Sequence, residues 1–417
     1  MPFHPSLILV LNSGSSSLKF AVHETGARTP LLSGLAERLG DDNATITFRD
    51  ADGKRVQPLE RSGHSPSGHA PGHPTALAAV LAELSRRGWV DVLAAVGHRV
   101  AHGGERFSAS VLITPSVLDA IEACIPLAPL HNPAALLGIR AAMDRLSDIP
   151  HAAVFDTAFH HTMRPEAYHY ALPMELYRDY GVRRYGFHGT SHRFVARETV
   201  SLLDLHPSDH GLVIAHLGNG ASATAVQDGC SVDTTMGMTP LEGLVMGTRS
   251  GDVDVGAILH LMREADLDAD QMDVMLNKRS GLLGISELSN ECRELEAAAE
   301  YGHAGARLAL DVFVHRLARH IGGLTTALRR LDAVVFTGGI GENSARVRAM
   351  TITRLRSLGL HLDPAANACM TGGACGVIST PDATPCAAVV ATNEEWMIAC
   401  DTAELARQAT DAIASEV

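Results

Sequence analysis

An α/β architecture built from two related halves is predicted by three features of the 417-residue sequence. A hairpin pattern occurs twice, strand-like runs alternate with helix-periodic segments, and apolar residues make up 46% of the chain, enough to fill more than one core. The first hairpin runs Leu7-Ile8-Leu9-Val10-Leu11, then the turn Asn12-Ser13-Gly14-Ser15-Ser16-Ser17, then Leu18-Lys19-Phe20-Ala21-Val22. The second runs Gly211-Leu212-Val213-Ile214-Ala215-His216-Leu217, then Gly218-Asn219-Gly220-Ala221-Ser222, then Ala223-Thr224-Ala225-Val226. Gly and Ser leave the backbone N–H groups of such tips uncovered, so each is a place where an anion can approach closely. Two of them suggest a duplicated fold gripping a polyphosphate.

Between and after the hairpins, residues 61–74 contain three each of Gly, Pro, Ser and His and read as an exposed loop, with metal binding by its histidines the weaker reading. Leu77, Val80, Leu81 and Leu84 then mark a helix over residues 75–87, leading into a strand at Val92 to Val96. Further strands are predicted at 152–155, 333–337 and 387–390, and long helices at 191–203, 303–331 and 395–414. A boundary near residue 160 divides the chain into residues 1–160 and 161–394, with the final segment 395–417 returning to pack on the first half.

Composition narrows the partners. A net charge of −13 gives no general attraction to nucleic acid or anionic lipid, so phosphate chemistry must rest on a few focused cations. Seven cysteines with no Cys-x-x-Cys argue for reduced thiols and a cytoplasmic setting rather than disulfides or zinc. No apolar run approaches the roughly 18 residues of a membrane span.

Five segments carry the chemistry. Gly97-His98-Arg99-Val100-Ala101-His102-Gly103-Gly104-Glu105 follows a strand, placing Arg99 where α/β folds bind ligands; a structural ion pair is the bland alternative. His98 and His102 have metal-like spacing only on a helix, which Gly103-Gly104 disfavours. Asp156 leaves the strand ending at Phe155, placed to hold Mg²⁺ or to orient an arginine, or merely to cap a turn. Arg183 to His192 sets two glycines and two histidines ahead of a helix, with His188 beside its anion-favouring N-terminus. In Met238 to Asp252 the lone Arg249 stands among small residues, suited to a carboxylate or phosphoryl group. Val335 to Ser344 is a strand, a Gly-rich turn and a helix start that matches neither the P-loop nor the dinucleotide pattern.

With these segments in order the chain resembles the acetokinase family, the short-chain carboxylate kinases that act on acetate or propionate. The resemblance runs nearly end to end and also takes in Pro129-Leu130-His131-Asn132-Pro133, Ser280-Gly281-Leu282-Leu283-Gly284 and Thr392-Asn393-Glu394-Glu395. It implies two ribonuclease H-like domains of the acetate and sugar kinase, Hsp70 and actin superfold, with ATP in the interdomain cleft, Mg²⁺ or Mn²⁺ as cofactor and a homodimer. It further implies that Arg99 and Arg249 hold the carboxylate and the phosphoryl group, with His188 contacting that phosphoryl, His131 a further active-site histidine and Asp156 the essential aspartate. Asn12 and Glu394 match the metal positions, and Lys19 a substrate-side lysine that also reaches the nucleotide. His216, Leu217, Gly218, Asn219 and Gly220 match one nucleotide-binding stretch, Gly339, Ile340, Gly341, Glu342 and Asn343 another, and Glu291, Cys292 and Arg293 a third.

Two departures from the family pattern matter. Ala101 stands where acetate-preferring relatives usually carry Val, in an acyl pocket shared with Leu130, Phe187 and Pro240, so propionate is a live alternative to acetate. Glu287 replaces a usual Gly. A sugar or glycerol kinase would need a base for a neutral hydroxyl, and a non-catalytic ATP-dependent clamp would need no acceptor pocket; the arginine pair speaks against both.

Overall fold

The computed structural model describes residues 6–59 and 70–416. It forms two compact units, Met1–Ala158 with Asn393–Val417, and Phe159–Thr392. In the first unit β1 (Leu7–Ser13), β2 (Ser17–Glu24), β3 (Leu32–Glu37), β4 (Thr45–Asp50), β5 (Gly53–Pro58), β6 (Leu93–Val100), β7 (Val111–Leu112) and β8 (His151–Phe155) make one sheet in the order β5-β4-β3-β2-β1-β6-β8-β7. In the second, β9 (Gly211–Leu217), β10 (Ala221–Gln227), β11 (Cys230–Thr234), β12 (Ala333–Thr337), β13 (Gly376–Val377) and β14 (Cys386–Val389) are ordered β11-β10-β9-β12-β14-β13.

The two sheets repeat one topology. β3-β2-β1-β6-β8 and β11-β10-β9-β12-β14 are each an antiparallel meander followed by two parallel strands, and each ends in a short antiparallel strand, β7 or β13. The duplicated hairpin is therefore the visible part of a duplicated sheet.

The continuous apolar run of β1 reflects a strand covered on both faces. Leu7, Leu9 and Leu11 enter a core with Phe20, Leu77, Val80 and Leu84, whereas Ile8 and Val10 face Ala95, Val154 and Ile398 of the C-terminal helix Glu394–Glu416. In the second unit the helix Ala304–Leu324 buries Phe313, Leu317 and Ile321 against Val213, Ala215 and Phe336.

Four local expectations need correction. Asn12 and Ser13 pair with Lys19 and Leu18 in the β1–β2 ladder, so the first tip is only Gly14 to Ser16. β6 continues through Arg99 to Val100, because β1 and β8 both pair with it in parallel; Arg99 thus lies in a strand rather than beyond one. Gly97 is needed there, since a Cβ would lie 2.3 Å from Thr402 Oγ1 of the C-terminal helix. The helix predicted over 303–331 stops at Leu324, after Gly322-Gly323, where the Thr325 and Thr326 hydroxyls donate back to the carbonyls of those two glycines. Of the loop over residues 61–74, residues 61–69 lie outside the described part, but His73 begins the helix His73–Arg86 and is buried, with Nε2 2.7 Å from the Gly14 carbonyl.

Candidate active site

In the first unit the sequence motifs meet at the carboxyl ends of the parallel strands β6 and β8. Arg99 is the penultimate residue of β6, Asp156 follows β8 directly, and Asp156 N donates to the Val100 carbonyl at 3.0 Å. Both Nε and Nη2 of Arg99 donate to Asp156 Oδ2, with Nε at 3.0 Å. Side-on pairing of this kind fixes the guanidinium plane and leaves its other edge available for a planar anion.

Glu394 opens the C-terminal helix and feels both groups. Burial, then the Asp156 charge, push its carboxyl up to about 7, and Arg99 and Lys19 offset this only in part. A half-buried carboxylate short of positive charge, with a second acid beside it, is the environment that a divalent cation relieves. Among the described residues no group of three or more His, Cys, Asp or Glu gathers as a metal cage. Asn12 and Glu394 are the residues that would hold a divalent cation here. Asn12 faces Lys19 in the β1–β2 register, and the Lys19 ammonium pairs with Glu395. His131 and Leu130 precede the helix Asn132–Arg145, His131 half-buried and Leu130 46% exposed. Ala101 is buried directly after β6.

The second unit brings His188 and Arg249 together on the tip of its hairpin. A Cβ built on Gly220 would lie 3.6 Å from Arg249 Nη1 and 3.6 Å from His188 Nε2, ordinary contact distances that place both side chains over the turn. His188 has φ +56°, a left-handed conformation rare for a side-chain-bearing residue, at the N-cap of the helix Gly189–Leu202. Its Nδ1 is 3.0 Å from Ser222 Oγ, which also lies 2.8 Å from His192 Nε2, and burial keeps His192 well below its usual pKa and neutral. The His188 ring stacks on His216 at 4.4 Å, and His216 Nδ1 is 2.8 Å from Ser191 Oγ, itself 2.8 Å from Thr392 Oγ1. Arg249 Nη1 donates to the Pro240 carbonyl at 3.3 Å.

The three predicted nucleotide stretches line one cavity of about 340 Å³ in this unit, bounded by Gly218 and Asn219, by Glu291 to Arg293, and by Gly339, Ile340 and Asn343. The volume fits a nucleoside. Within those stretches several side chains have other tasks. Leu217 is fully buried in the core, so only its backbone is available. Cys292 is buried, and burial pushes its thiol up to about 12. Glu342 Oε1 accepts from Gly338 N at 2.9 Å and Thr392 N at 3.0 Å, tying the short helix Gly338–Asn343 to the end of the unit. Gly341 packs against Phe336, and Phe187 lies in the core while Pro240 stays half-buried.

Sequence reasoning gave no individual role to Asn290 and Glu296, and named Ser344 only as the end of the Gly-rich segment; all three line the cavity. Asn290 Nδ2 donates to Asn219 Oδ1 at 3.1 Å and the Ser344 hydroxyl to Glu296. Nothing in a lone Asn or Glu outside a Gly-rich segment signals such a position. Arg348 was missed as well. It is fully buried and donates to the Gly341 and Glu342 carbonyls at 2.8 and 2.9 Å and to Asn367 Oδ1 at 2.8 Å, bracing the short helix Gly338–Asn343, which begins on the glycines that the sequence reads as a turn.

The family model of the acetokinase family matches residues 7–400. "Acetate kinase 2" of Neisseria meningitidis serogroup B is 54% identical over 400 residues, covering 96% of this chain and 98% of that protein. "Propionate kinase" of Yersinia enterocolitica is 50% identical, covering 97% of each. Among solved structures, a propionate kinase from Francisella tularensis superposes with a TM-score of 0.89 at 41% identity, over 96% of this chain and 100% of that one. Acetate kinase of Porphyromonas gingivalis gives 0.88 at 41% identity, over 96% and 99%. With the duplicated sheet, the Arg99–Asp156 pair and the His188–Arg249 tip on a chain matched from residue 7 to residue 400, this protein belongs to the acetokinase family.

Proposed function

We propose that the protein transfers the γ-phosphoryl group of ATP reversibly to acetate, giving acetyl phosphate and ADP, with propionate as a second acceptor. The observation that carries this reading is the commitment of Asp156 to Arg99. A carboxylate bound by two N–H groups of a permanent cation is a counter-ion, not a base. A hydroxyl acceptor would need a base, whereas a carboxylate near its usual pKa is already ionised at pH 7.

In the step itself a carboxylate oxygen attacks the γ-phosphorus, the bond to the β,γ-bridging oxygen breaks, and ADP leaves with the electron pair; no proton moves. Arg99, oriented by Asp156, receives the acceptor carboxylate. Arg249 and His188, lying over Gly220, neutralise the charge that spreads over the equatorial oxygens. The hairpin tip Gly218 to Gly220 and the short helix Gly338–Asn343 receive the nucleotide. Lys19 and His131 belong to the acceptor side. Mg²⁺, with Mn²⁺ as substitute, would shield the phosphate charge when bound by Asn12 and Glu394.

Ala101 sets the acyl preference. Relative to Val it leaves room for about one methylene, worth roughly 0.8 kcal/mol or about fourfold in affinity. Hydroxylamine trapping of acyl phosphate from ATP with acetate, propionate, butyrate or glycerol should give product with the first two at similar kcat/KM. No product from any carboxylate would sink the reading, and a strict acetate preference would sink the role of Ala101.

We further propose a cytoplasmic homodimer. All seven cysteines are free thiols, and among the described residues no helix is long and apolar enough to cross a membrane. The helix Val255–Glu264 has no buried residue and exposes Val255 and Leu259. Light scattering should return twice the 44.2 kDa chain mass; a monomer at micromolar concentration would refute the dimer.

A further inference from the structure

His188 presents its two ring nitrogens to different surroundings. Nε2 lies toward the hairpin tip, 3.6 Å from a Cβ built on Gly220, whereas Nδ1 is 3.0 Å from Ser222 Oγ in β10. The same hydroxyl lies 2.8 Å from His192 Nε2. His192 stands one helical turn after His188, and its backbone N donates to the His188 carbonyl at 2.9 Å. One fully buried serine thus links two imidazoles at the start of a single helix.

The placement of protons in this chain follows from His192. That ring is fully buried, and burial, with His160 and His216 beside it, keeps it neutral, so it carries a single proton. Its Nδ1 is buried without a hydrogen-bond partner. A proton there would be a buried N–H with nothing to receive it, and orphaned buried N–H groups are rarer than unmatched acceptors. The proton therefore sits on Nε2 and is donated to Ser222 Oγ. Among the described residues the Ser222 hydroxyl has only the two rings as partners. Its own proton then goes to His188 Nδ1, which must be bare, and the ring proton of His188 is left on Nε2.

We propose that Ser222 and His192 are positioning residues that fix the tautomer of His188: a one-way chain, His192 Nε2–H to Ser222 Oγ and Ser222 O–H to His188 Nδ1, holds the His188 proton on Nε2. The chain deepens the phosphotransfer reading above and rests on it for what that N–H meets, an oxygen of the phosphoryl group in transfer. His188 then supplies a directed hydrogen bond beside the permanent cation of Arg249. Run in the opposite direction, the chain would aim a nitrogen lone pair at that oxygen, and the two would repel.

Nitrogen-15 NMR of the full-length protein labelled on its histidine rings reads the tautomer directly, the His188 signals being those lost in His188→Ala. We expect a protonated Nε2 and a bare Nδ1 in the wild type, and a mixture of the two tautomers in Ser222→Ala. Acyl phosphate formation from ATP and acetate gives the kinetic counterpart. Ser222→Ala should lower kcat about tenfold with KM for ATP and acetate within about twofold, because the weakened contact belongs to the transition state. His192→Gln keeps an N–H donor toward Ser222 and should retain most of the activity, whereas His192→Leu should match Ser222→Ala. Ser222→Ala, which only removes an oxygen, serves alone if the His192 variants do not fold. In a His188→Ala background the loss of the serine hydroxyl should cost nothing further, an outcome that a merely structural serine would not give. A protonated Nδ1 on His188, an unchanged kcat in Ser222→Ala, or equal losses in the two backgrounds would each overturn the chain. Wild-type protein that forms no acyl phosphate would sink the phosphotransfer reading alone, and the ring-nitrogen signals would still decide the chain.

Discussion

Asp156 and Arg99 show how much the role of a single residue depends on its partner. From the sequence both stand near strand ends, which marks them as site residues but leaves Asp156 open as metal ligand, arginine holder or turn cap. The structure supplies the missing fact, two hydrogen bonds from one guanidinium to one carboxylate oxygen. Asp156→Asn keeps the size and an acceptor oxygen but removes the counter-charge, so Arg99 loses its fixed plane. We expect kcat to fall by roughly 10²-fold or more, the magnitude of losing one preorganised charge contact in a transition state. The shape of the kcat–pH profile should stay as in the wild type, since no proton is carried by Asp156. A lost or displaced acidic limb would instead assign it proton transfer. Arg249 and His188 were equally visible as residue types, yet their convergence over Gly220 was not, because both are distant from that glycine in sequence and only the fold brings them to it.

At the scale of elements, strands were legible and ends were less so. Apolar runs such as Leu7 to Leu11 and Ala333 to Thr337 are buried on both faces and had no competing reading. Ends depended on tertiary partners: β6 grew by four residues because two parallel neighbours hold it. Glu287 illustrates the reverse, a departure from the family's pattern whose meaning appears only in the fold. It is the C-cap of the helix Gly281–Ser286, exposed, with φ +54°. Glycine enters that left-handed region without the Cβ penalty, which amounts to about 1–2 kcal/mol, but it loses more entropy on folding. Glu287→Gly should therefore stabilise the second unit by about 0.5–1 kcal/mol, read as a higher urea midpoint at unchanged m-value. A destabilised variant would mean that the Glu287 side chain holds contacts that outweigh the backbone strain.

Across the whole molecule, the duplicated sheet assigns different chemistry to equivalent places. The tip between β1 and β2 stands among Asn12, Lys19 and the Arg99–Asp156 pair, and the tip between β9 and β10 among His188, Arg249 and the nucleotide-sized cavity. The repeat itself was readable because each tip is a short Gly-bearing turn between two strand-like apolar runs. The division of labour was readable only through the resemblance, since the distinguishing residues come from elsewhere in each unit. The unequal assignment has a measurable consequence. A ligand that binds only the folded state suppresses the openings that release it, by about 100-fold when present at 100 times its dissociation constant. ADP at that excess should slow amide hydrogen exchange in residues 211–227, 288–296 and 338–344, which carry the cavity walls and the strands that present them. Residues 45–58, forming β4 and β5 at the far edge of the other sheet, should exchange as before. Protection concentrated in the first unit, or spread evenly over both, would remove the nucleotide from the second hairpin and with it the assignment of roles to the two halves.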